Sequence, residues 1–429
     1  MQRFGWFWIQ KQRAWIGLFL GCVVLLVGIS GCSLPQVQPE DRLFLNLSLD
    51  YLGAIPFPAE FSEPPVGGLS GLTYDRSRNQ FYAISDDRSH YAPARFYTLQ
   101  LNWHPNWQPN PPLEAEADGE NASQNPIGEL QIRQATTLYS ETGEPFAAGT
   151  IDGEGIALSP RQTVFIASEG DRDRGIAPSI EEFDLMTGAW LSRLPIPNRY
   201  LPRTENDRPI GVQNNQAFES LTLSATRYDN ATRYGNTLEP FRIFAATESA
   251  LWQDLSADGG NAGDGNAGDG NETAPSTGLT PIRFMHYLVG DQTLLLAEHL
   301  YAIDALPDGA ENLGLSELLV LDQGGHLLSL ERSFGLTGFG IRIFQLALGG
   351  ATDIAPIPAL AGDLAGITPI QKRLLLDLST LGIRLDNYEG MTLGPQLPDG
   401  SPSLILMSDD NFNPLQTSEL LVFRLRSES

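Results

Sequence analysis

A pattern of three short apolar segments occurs five times along this 429-residue chain, and it limits the possible folds more than any other feature. The first segment begins with SGLT, EGIA, ESLT, SELL or EGMT, and the second ends with AISDD, IASEG, AATES, SLERS or LMSDD. A third segment follows in most copies, as in YTLQL, EEFDL, FQLAL and VFRL. Short segments rich in β-branched and aromatic residues, separated by Gly, Pro, Asn and Asp, predict strands.

Repeated units of three or four strands, spaced by several tens of residues, predict an all-β fold of the β-propeller class. Five copies plus further strands at 43–55 and 281–303 predict five to seven blades, with six as the central number. The N-terminal strand is expected to complete the last blade and close the ring. The segment 371–385, QKRLLLDLSTLGIRL, has helix-like spacing, but a strand and a turn are equally consistent with it.

The N-terminus has the pattern of an export signal. Residues 1–31 join a basic start to an apolar stretch that ends in Ile-Ser-Gly, directly before Cys32. This ending resembles a bacterial lipoprotein signal, which implies cleavage before Cys32, lipidation of that residue, and a location at the cell membrane or outer membrane. The alternative is an uncleaved membrane anchor, since the apolar stretch is near the lower length limit for a span.

The remaining chain is predicted to form a tether, 32–41, and one propeller domain, 42–429. The segment 256–276, rich in Gly, Asp and Asn, is predicted to be a disordered insertion; its period is a weak match to calcium-binding Gly/Asp repeats. The two cysteines, Cys22 and Cys32, both lie in or next to the signal, so the domain has no disulfide. We expect a monomer stabilised by its core, by repetition or by bound metal.

The chain is strongly acidic, with a formal net charge of −25. Such a surface repels nucleic acid and attracts cations. The sequence contains no G-x-S-x-G, H-E-x-x-H, phosphate-binding loop or dinucleotide fingerprint, and its five histidines show no ligand spacing. These absences argue against a serine hydrolase, a zinc enzyme and a nucleotide-dependent enzyme.

Acidic residues occur at equivalent places in the repeats. Those of the first segment are Glu154, Glu219, Glu317 and Glu389, and those at the end of the second are Asp86, Asp87, Glu169, Glu248, Glu331, Asp409 and Asp410. Equivalent positions of the innermost strands converge in a propeller, so we expect a ring of carboxylates in the central channel. Such carboxylates raise each other's pKa unless cations lie among them.

Calcium fits this ring, because it accepts six to eight oxygen ligands in flexible geometry. Arginines that follow the second-segment acids, Arg95 and Arg332 among them, are predicted to bind phosphate oxygens. Arg88, Arg172 and Arg174 have similar positions. The alternative is structural, since acids at strand ends commonly accept hydrogen bonds from turn N–H groups.

The five ordered motifs, from GLSGLTY at residue 68 to NYEGMTL at residue 387, resemble the bacterial family called esterase-like activity of phytase. The resemblance covers about residues 66–425 and implies a phytase-like propeller that hydrolyses phosphate esters. It implies that the motif acids take part, namely Glu154, Glu169, Glu219, Glu248, Glu331, Glu389 and Asp409. Ser220 departs from the family pattern, which has Gly there.

Two functions follow as hypotheses. The first is an exported, membrane-anchored esterase that hydrolyses anionic phosphate esters with calcium, with Glu154, Glu219 and Glu389 as catalytic residues. In this hypothesis the metal ligands are drawn from Glu154, Glu169, Glu219, Glu248, Glu331, Glu389 and Asp409. The second is a non-catalytic propeller of the cell envelope that binds a ligand or a partner, because no nucleophile or histidine is positioned by the sequence.

Overall fold

The computed structural model describes residues 43–58, 64–105, 107–109, 127–224, 240–255, 279–321, 324–336, 338–362 and 364–427. The chain divides into two units, Met1–Leu43 and Phe44–Ser429. The predicted signal (1–31), the lipidation site Cys32, the tether and the insertion at 256–276 lie outside the described residues. Within the described residues, no helix has both the length and the apolar character that a membrane span requires.

Five antiparallel sheets of four strands each account for most of the described part of Phe44–Ser429. The chain begins with β1 (Leu47–Pro56). Blade 1 contains β2 (Leu69–Asp75), β3 (Gln80–Ser85), β4 (Arg95–Trp103) and β5 (Gly128–Thr137). Blade 2 contains β6 (Gly153–Leu158), β7 (Thr163–Ser168), β8 (Ser179–Asp184) and β9 (Trp190–Arg193). A small hairpin, β10 (Arg203–Glu205) and β11 (Arg208–Ile210), follows blade 2.

The remaining three blades have the same strand order. Blade 3 contains β12 (Phe218–Leu223), β13 (Phe241–Thr247), β14 (Thr280–Val289) and β15 (Thr293–Ile303). Blade 4 contains β16 (Ala310–Val320), β17 (His326–Gly335), β18 (Gly338–Ala347) and β19 (Gln371–Asp377). Blade 5 contains β20 (Asn387–Leu393), β21 (Ser403–Asp409), β22 (Glu419–Ser427) and, as its outer strand, β1. Short 3-10 turns occur at Asn198–Tyr200, Trp252–Asp254 and Leu378–Leu381.

The five blades form a closed ring. The first strand of each blade contacts the first strand of the next, through the pairs β2 with β6, β6 with β12, β12 with β16, β16 with β20 and β20 with β2. A buried apolar cluster lies between each pair of neighbouring blades. Burial of these faces is the main favourable contribution to the stability of such a fold. The structure is therefore a five-bladed β-propeller.

Strand β1 closes the ring by pairing with β22, from Leu47 opposite Ser427 to Pro56 opposite Glu419. Its alternating apolar residues serve two interfaces: Leu49 and Tyr51 pack between blades 4 and 5, and Ile55 packs between blades 5 and 1. The predicted completion of the last blade by the N-terminal strand is confirmed.

The blade number lies at the lower end of the predicted range, one below its central value. The strands expected at 281–303 do not form a blade of their own, because β14 and β15 are the outer strands of blade 3. The ambiguous segment 371–385 forms β19 and then the 3-10 turn Leu378–Leu381. Most of its apolar residues pack at the interface of blades 4 and 5, whereas Leu374 is exposed, so a strand followed by a turn is sufficient to bury them.

The innermost strands approach one another so closely that glycine is required between them. A Cβ atom on Gly155 would lie 2.5 Å from the carbonyl oxygen of Glu219 and 2.9 Å from Cβ of Leu221, both on the next blade. Gly71 has the same relation to blade 2, where its Cβ would lie 2.4 Å from the carbonyl oxygen of Glu154.

We expect Gly155→Ala to lower the free energy of unfolding by roughly 1–3 kcal/mol, because the added methyl forces two inner strands apart. Thermal or urea unfolding followed by circular dichroism measures the change. Gly349→Ala is the control, since Gly349 has no atom within 4 Å of its virtual Cβ. Equal stability of the two variants would contradict the close approach of the inner strands.

Candidate metal and anion site

Each innermost strand contains one extra residue at the same place in its pairing with the second strand. In blade 2, Gly153 pairs with Ser168 and Gly155 pairs with Ala167, so Glu154 has no partner. The same β-bulge occurs in the other four blades. We call the unpaired residues the first ring: Ser70, Glu154, Glu219, Ser316 and Glu389. A bulge redirects a side chain relative to the regular strand alternation.

A second set of equivalent residues comes from the neighbouring strand. In blade 2, Gly153 of the inner strand is the last residue before the bulge, and it pairs with Ser168 of the second strand. The residue that follows Ser168 is Glu169, and each blade has a residue at this position. We call this set the second ring: Asp86, Glu169, Glu248, Arg332 and Asp409. Blades 2, 3 and 5 thus each supply two acids, blade 1 supplies Ser70 and Asp86, and blade 4 supplies Ser316 and Arg332.

The two rings surround one end of the central channel, where there is a cavity of about 370 Å³. Its lining is polar except for two aromatic rings, and it consists of Asp86, Arg88, Glu154, Asn215, Glu219, Asn312, Arg332, Phe334, Phe339, Asn387, Glu389, Asn411 and Gln416. The inner strands continue to a second cavity, of about 310 Å³, which is lined mainly by apolar side chains such as Leu72, Leu158 and Leu221. The cavity lined by the ring carboxylates is therefore the more polar of these two cavities.

Two groups of three carboxylates are close enough to share a cation. Ligand atoms of Asp152, Glu154 and Glu169 all lie within 4.8 Å of one another, and so do those of Glu169, Glu219 and Glu248. Glu169 belongs to both groups. Three carboxylates do not fill the shell of six to eight oxygens that calcium prefers, but calcium also accepts carbonyl, amide and water oxygens.

Several buried oxygens in these groups make no hydrogen bond to the described protein. Both carboxylate oxygens of Asp152, which is 2% exposed, are of this kind, and so is Oε2 of Glu219, which is 8% exposed. The Oδ2 atom of Asp152 has an ionic neighbour, Nη2 of Arg88, at 2.5 Å. Buried polar atoms without hydrogen bonds are costly, and they are most common where an ion, water or ligand binds.

Arg332 is the cationic member of the second ring. Its Nη2 atom lies 3.0 Å from Oε1 of Glu248, 3.4 Å from Oε1 of Glu389 and 4.0 Å from Oε1 of Glu219. Burial by itself would lower the pKa of Arg332, but the charges of Glu389, Glu248 and Glu219 raise it above its ordinary value. The guanidinium is therefore permanently charged.

The carboxyl groups of the rings have raised pKa values, and burial is the largest cause in every case. Burial and the charges of Glu389 and Asp152 raise the pKa of Asp86 to about 7. Burial raises the pKa of Asp152 to about 6 despite the opposing charge of Arg88. Burial raises the pKa of Glu248 to about 7, although Arg332 opposes it. The pKa values of Glu154, Glu169, Glu219 and Asp409 are raised well above the usual range.

The structure brings together most of the acids that the sequence selected. Glu154, Glu219 and Glu389 line the cavity. Glu169 and Glu248 complete the carboxylate groups behind it. Asp409 is close enough that the charges of Glu389 and Asp86 raise its pKa. Arg332, selected as a phosphate ligand, also lines the cavity.

Glu331 and Arg95 lie elsewhere, so the structure does not place these two selected residues at the site. Glu331 accepts hydrogen bonds from Tyr301 Oη (2.6 Å) and Lys372 Nζ (2.7 Å). It occupies the place that Ser168 has in blade 2, one residue before the second ring. Arg95 is 1% exposed; it is paired with Asp87 and donates to the carbonyl oxygen of Pro65.

Other residues from the same motifs have structural roles, as the alternative interpretation expected. Glu317 accepts from the backbone N–H groups of Leu221 (3.1 Å) and Leu318 (2.9 Å). Asp410 accepts from the N–H groups of Gly68 (2.9 Å) and Phe412 (3.0 Å). Remaining members of this type are Asp87, which accepts from turn N–H groups, and Arg172 and Arg174, which donate to backbone carbonyls.

Asp152 is the site residue that the sequence motifs did not single out, whereas Asp86 was expected in the carboxylate ring and Arg88 has a position similar to those of the predicted phosphate ligands. Asp152 lies directly before β6 and two residues before Glu154, at the start of the motif DGEGIAL. Asp86 and Arg88 follow the strand end of blade 1, where the motif SDDR contains both. Arg88 has a positive φ of 54°, and so does Asn411 at the equivalent place of blade 5, with a φ of 47°. These two residues with left-handed backbone conformation both line the cavity.

The fold and these rings define a five-bladed propeller with an acidic channel mouth. Residues 64–412 match the model of the phytase-like family, described as esterase-like activity of phytase. The chain belongs to this family, which confirms the resemblance seen in the sequence. No curated protein matches the chain significantly.

Solved structures with a similar arrangement share little sequence with this chain. One is the catalytic domain of a GH62 α-L-arabinofuranosidase from Coprinopsis cinerea, with 8% identity, 89% of this chain and 97% of that chain covered, and a TM-score of 0.35. A GH62 hydrolase in complex with xylotriose has 7% identity, 87% and 97% coverage, and a TM-score of 0.37. The Cps50 (Swd1) β-propeller domain from Myceliophteria thermophila has 9% identity, 88% and 99% coverage, and a TM-score of 0.30.

The raised pKa values predict how the metal-free protein responds to pH. The folded state binds protons at Asp86, Asp152 and Glu248 with pKa values of about 7, 6 and 7, against 3.8, 3.8 and 4.5 for the free groups. The stabilising contribution is complete below pH 4 and is lost as the pH rises through 6 to 7. In the presence of a chelator, we therefore expect the melting temperature of the protein to fall as the pH rises from about 4 to 7.

Asp86→Asn should make that fall smaller, because it removes one of the titrating groups. Glu205→Gln, on the exposed hairpin, is the control and should leave the pH profile unchanged. A profile of Asp86→Asn that superimposes on the wild-type profile between pH 4 and pH 8 would contradict the assignment.

Proposed function

We propose that this protein is an exported, membrane-anchored hydrolase of phosphate monoesters or diesters that requires calcium. The observation that carries the proposal is the convergence of buried carboxylates with unpartnered oxygens at one channel mouth. Membership of the phytase-like family supports ester hydrolysis as the reaction class. The family match supports the class of reaction and leaves the substrate open.

The residues present fit a hard cation. The two groups offer only carboxylate oxygens, and amide oxygens of asparagine line the same cavity. Oxygen-only ligand sets suit calcium and magnesium better than zinc or copper. Asp152, Glu154 and Glu169 would hold the ion, since their ligand atoms lie within 4.8 Å of one another and Oδ1 of Asp152 is buried without a hydrogen bond to the described residues. When bound, calcium would supply the positive charge that attracts a phosphate ester and favours ionisation of water.

The protein side chains have separate tasks in this proposal. Arg88 lines the cavity and is 34% exposed, so its guanidinium can contact a phosphate oxygen on the solvent side. Arg332 contributes fixed positive charge on the opposite side of the carboxylates. Asp86, whose pKa is about 7, is suited to accept a proton near neutral pH. Glu154, Glu219 and Glu389 remain the proposed catalytic acids, because all three line the cavity.

A non-catalytic binding propeller is the second candidate. The cavity lining among the described residues contains no histidine, cysteine, serine or threonine side chain. A protein that only bound calcium and an anionic ligand would need the same carboxylates and arginines. The two functions differ in whether substrate is turned over.

Hydrolysis of p-nitrophenyl phosphate and bis(p-nitrophenyl) phosphate by the purified full chain distinguishes them. We expect hydrolysis with calcium, loss of it with chelator, and a decrease of at least ~10-fold in kcat/KM for Glu154→Gln, since a ligand is lost. Glu205→Gln is the matched control and should retain wild-type activity. Stabilisation by calcium without hydrolysis of either ester would favour the binding protein.

The membrane anchor is part of the proposal and rests on residues 1–32 of the sequence. We expect a bacterial host to incorporate labelled fatty acid into the wild-type chain, because a cysteine following Ile-Ser-Gly is a lipidation site. Cys32→Ser should abolish incorporation and release the protein from the membrane fraction. Equal labelling of both chains would contradict the anchor; Cys22→Ser is the matched control.

A further inference from the structure

Blade 4 is the described blade that supplies no acid to either ring. The positions that carry Glu154 and Glu169 in blade 2 carry Ser316 and Arg332 in blade 4. The two changes are linked, because Nε of Arg332 lies 3.4 Å from Oγ of Ser316. Blade 4 therefore presents an oriented cation where the other blades present carboxylates.

The guanidinium of Arg332 lies between the acids of the two flanking blades. Its contacts are to Glu248 and Glu219 of blade 3, and to Glu389 of blade 5. The Arg332 side chain is 15% exposed and that of Glu248 is 3% exposed, so water screens these contacts little. One buried cation shared by several carboxylates is the arrangement that a metal ion commonly has in an acidic site.

The acids on the other side of the mouth have a different cation, Arg88, whose side chain is 34% exposed and which forms an ion pair with one carboxylate, that of Asp152. Oδ2 of Asp152 is the paired atom, and Oδ1 makes no hydrogen bond to the described residues. Glu169 accepts a hydrogen bond from the N–H of Ala217.

We propose that Arg332 is a built-in cation that takes the place of a metal ion among Glu219, Glu248 and Glu389. Metal binding is thereby confined to Asp152, Glu154 and Glu169. This inference rests on the metal binding in the proposed function and specifies its location and number. A second divalent ion at Glu169, Glu219 and Glu248 is disfavoured, because it would lie close to a permanently charged guanidinium.

Calcium titration of the full chain by isothermal calorimetry tests this assignment. We expect one calcium per wild-type chain at the mouth, and one additional calcium in Arg332→Gln, because that variant frees Glu248 and Glu389. Arg332→Lys keeps the charge and should retain the wild-type number. Arg208→Gln, on the exposed hairpin strand β11, is the matched control, since it removes an arginine away from the cavity and should leave the number unchanged.

A second measurement does not depend on the folding of Arg332→Gln. Glu248→Gln removes a partner of Arg332 and should change calcium affinity in the otherwise wild-type chain less than ~3-fold, whereas Glu154→Gln should lower it at least ~10-fold. Circular dichroism in calcium confirms that each variant is folded before titration.

Two outcomes would overturn the inference: an unchanged calcium number in folded Arg332→Gln, or equal losses of affinity in Glu248→Gln and Glu154→Gln. Its failure can be separated from that of the proposed function. An additional calcium in Arg332→Gln together with no ester hydrolysis by the wild type supports the built-in cation and refutes the hydrolase.

Discussion

The functional end of this protein depends on one extra residue in each innermost strand. A regular antiparallel strand alternates its side chains between two faces, and in a propeller both faces of a blade pack against neighbouring blades. The bulge interrupts that alternation at Glu154, Glu219 and Glu389, so that these side chains reach the channel mouth. The same strands supply apolar residues to the interfaces between blades. Packing and the polar site are thus built from the same segments of chain.

The bulges bring several carboxyl groups together at the channel mouth, and ionisation of these buried groups is energetically unfavourable. Burial opposes ionisation of every carboxyl group in the two rings. Arg88 and Arg332 balance only part of the charge that these groups carry when ionised. Without further cations the site must hold protons, and with cations it holds carboxylates. Cation binding at this site, as proposed, would therefore release protons.

The sequence was sufficient to predict the propeller class and most of the acids, because each repeat carries the same local signals. Its limits appear at blade 4, where the motifs SELL and SLERS predict acids at the ring positions. When the blades are aligned at the bulge, the first-ring residue of blade 4 is Ser316. Glu317 is the next residue, and its carboxylate accepts hydrogen bonds from backbone N–H groups. Similarly, Glu331 of blade 4 is equivalent to Ser168 of blade 2, and Arg332 is equivalent to Glu169. The one-residue shift was present in the motifs, but only the strand pairing shows which residue faces the channel.

The closure of blade 5 by the first strand has a consequence for how the chain reaches its native state. Arg426 of β22 bonds to Asp50 of β1, 376 positions away in sequence. Contacts of such separation form only after almost the whole polypeptide has left the ribosome or crossed a membrane. Until then β1 and the open sides of blades 1 and 5 remain uncovered. A chain made and moved from its N-terminus must keep its first strand unfolded and unaggregated until its last strand arrives.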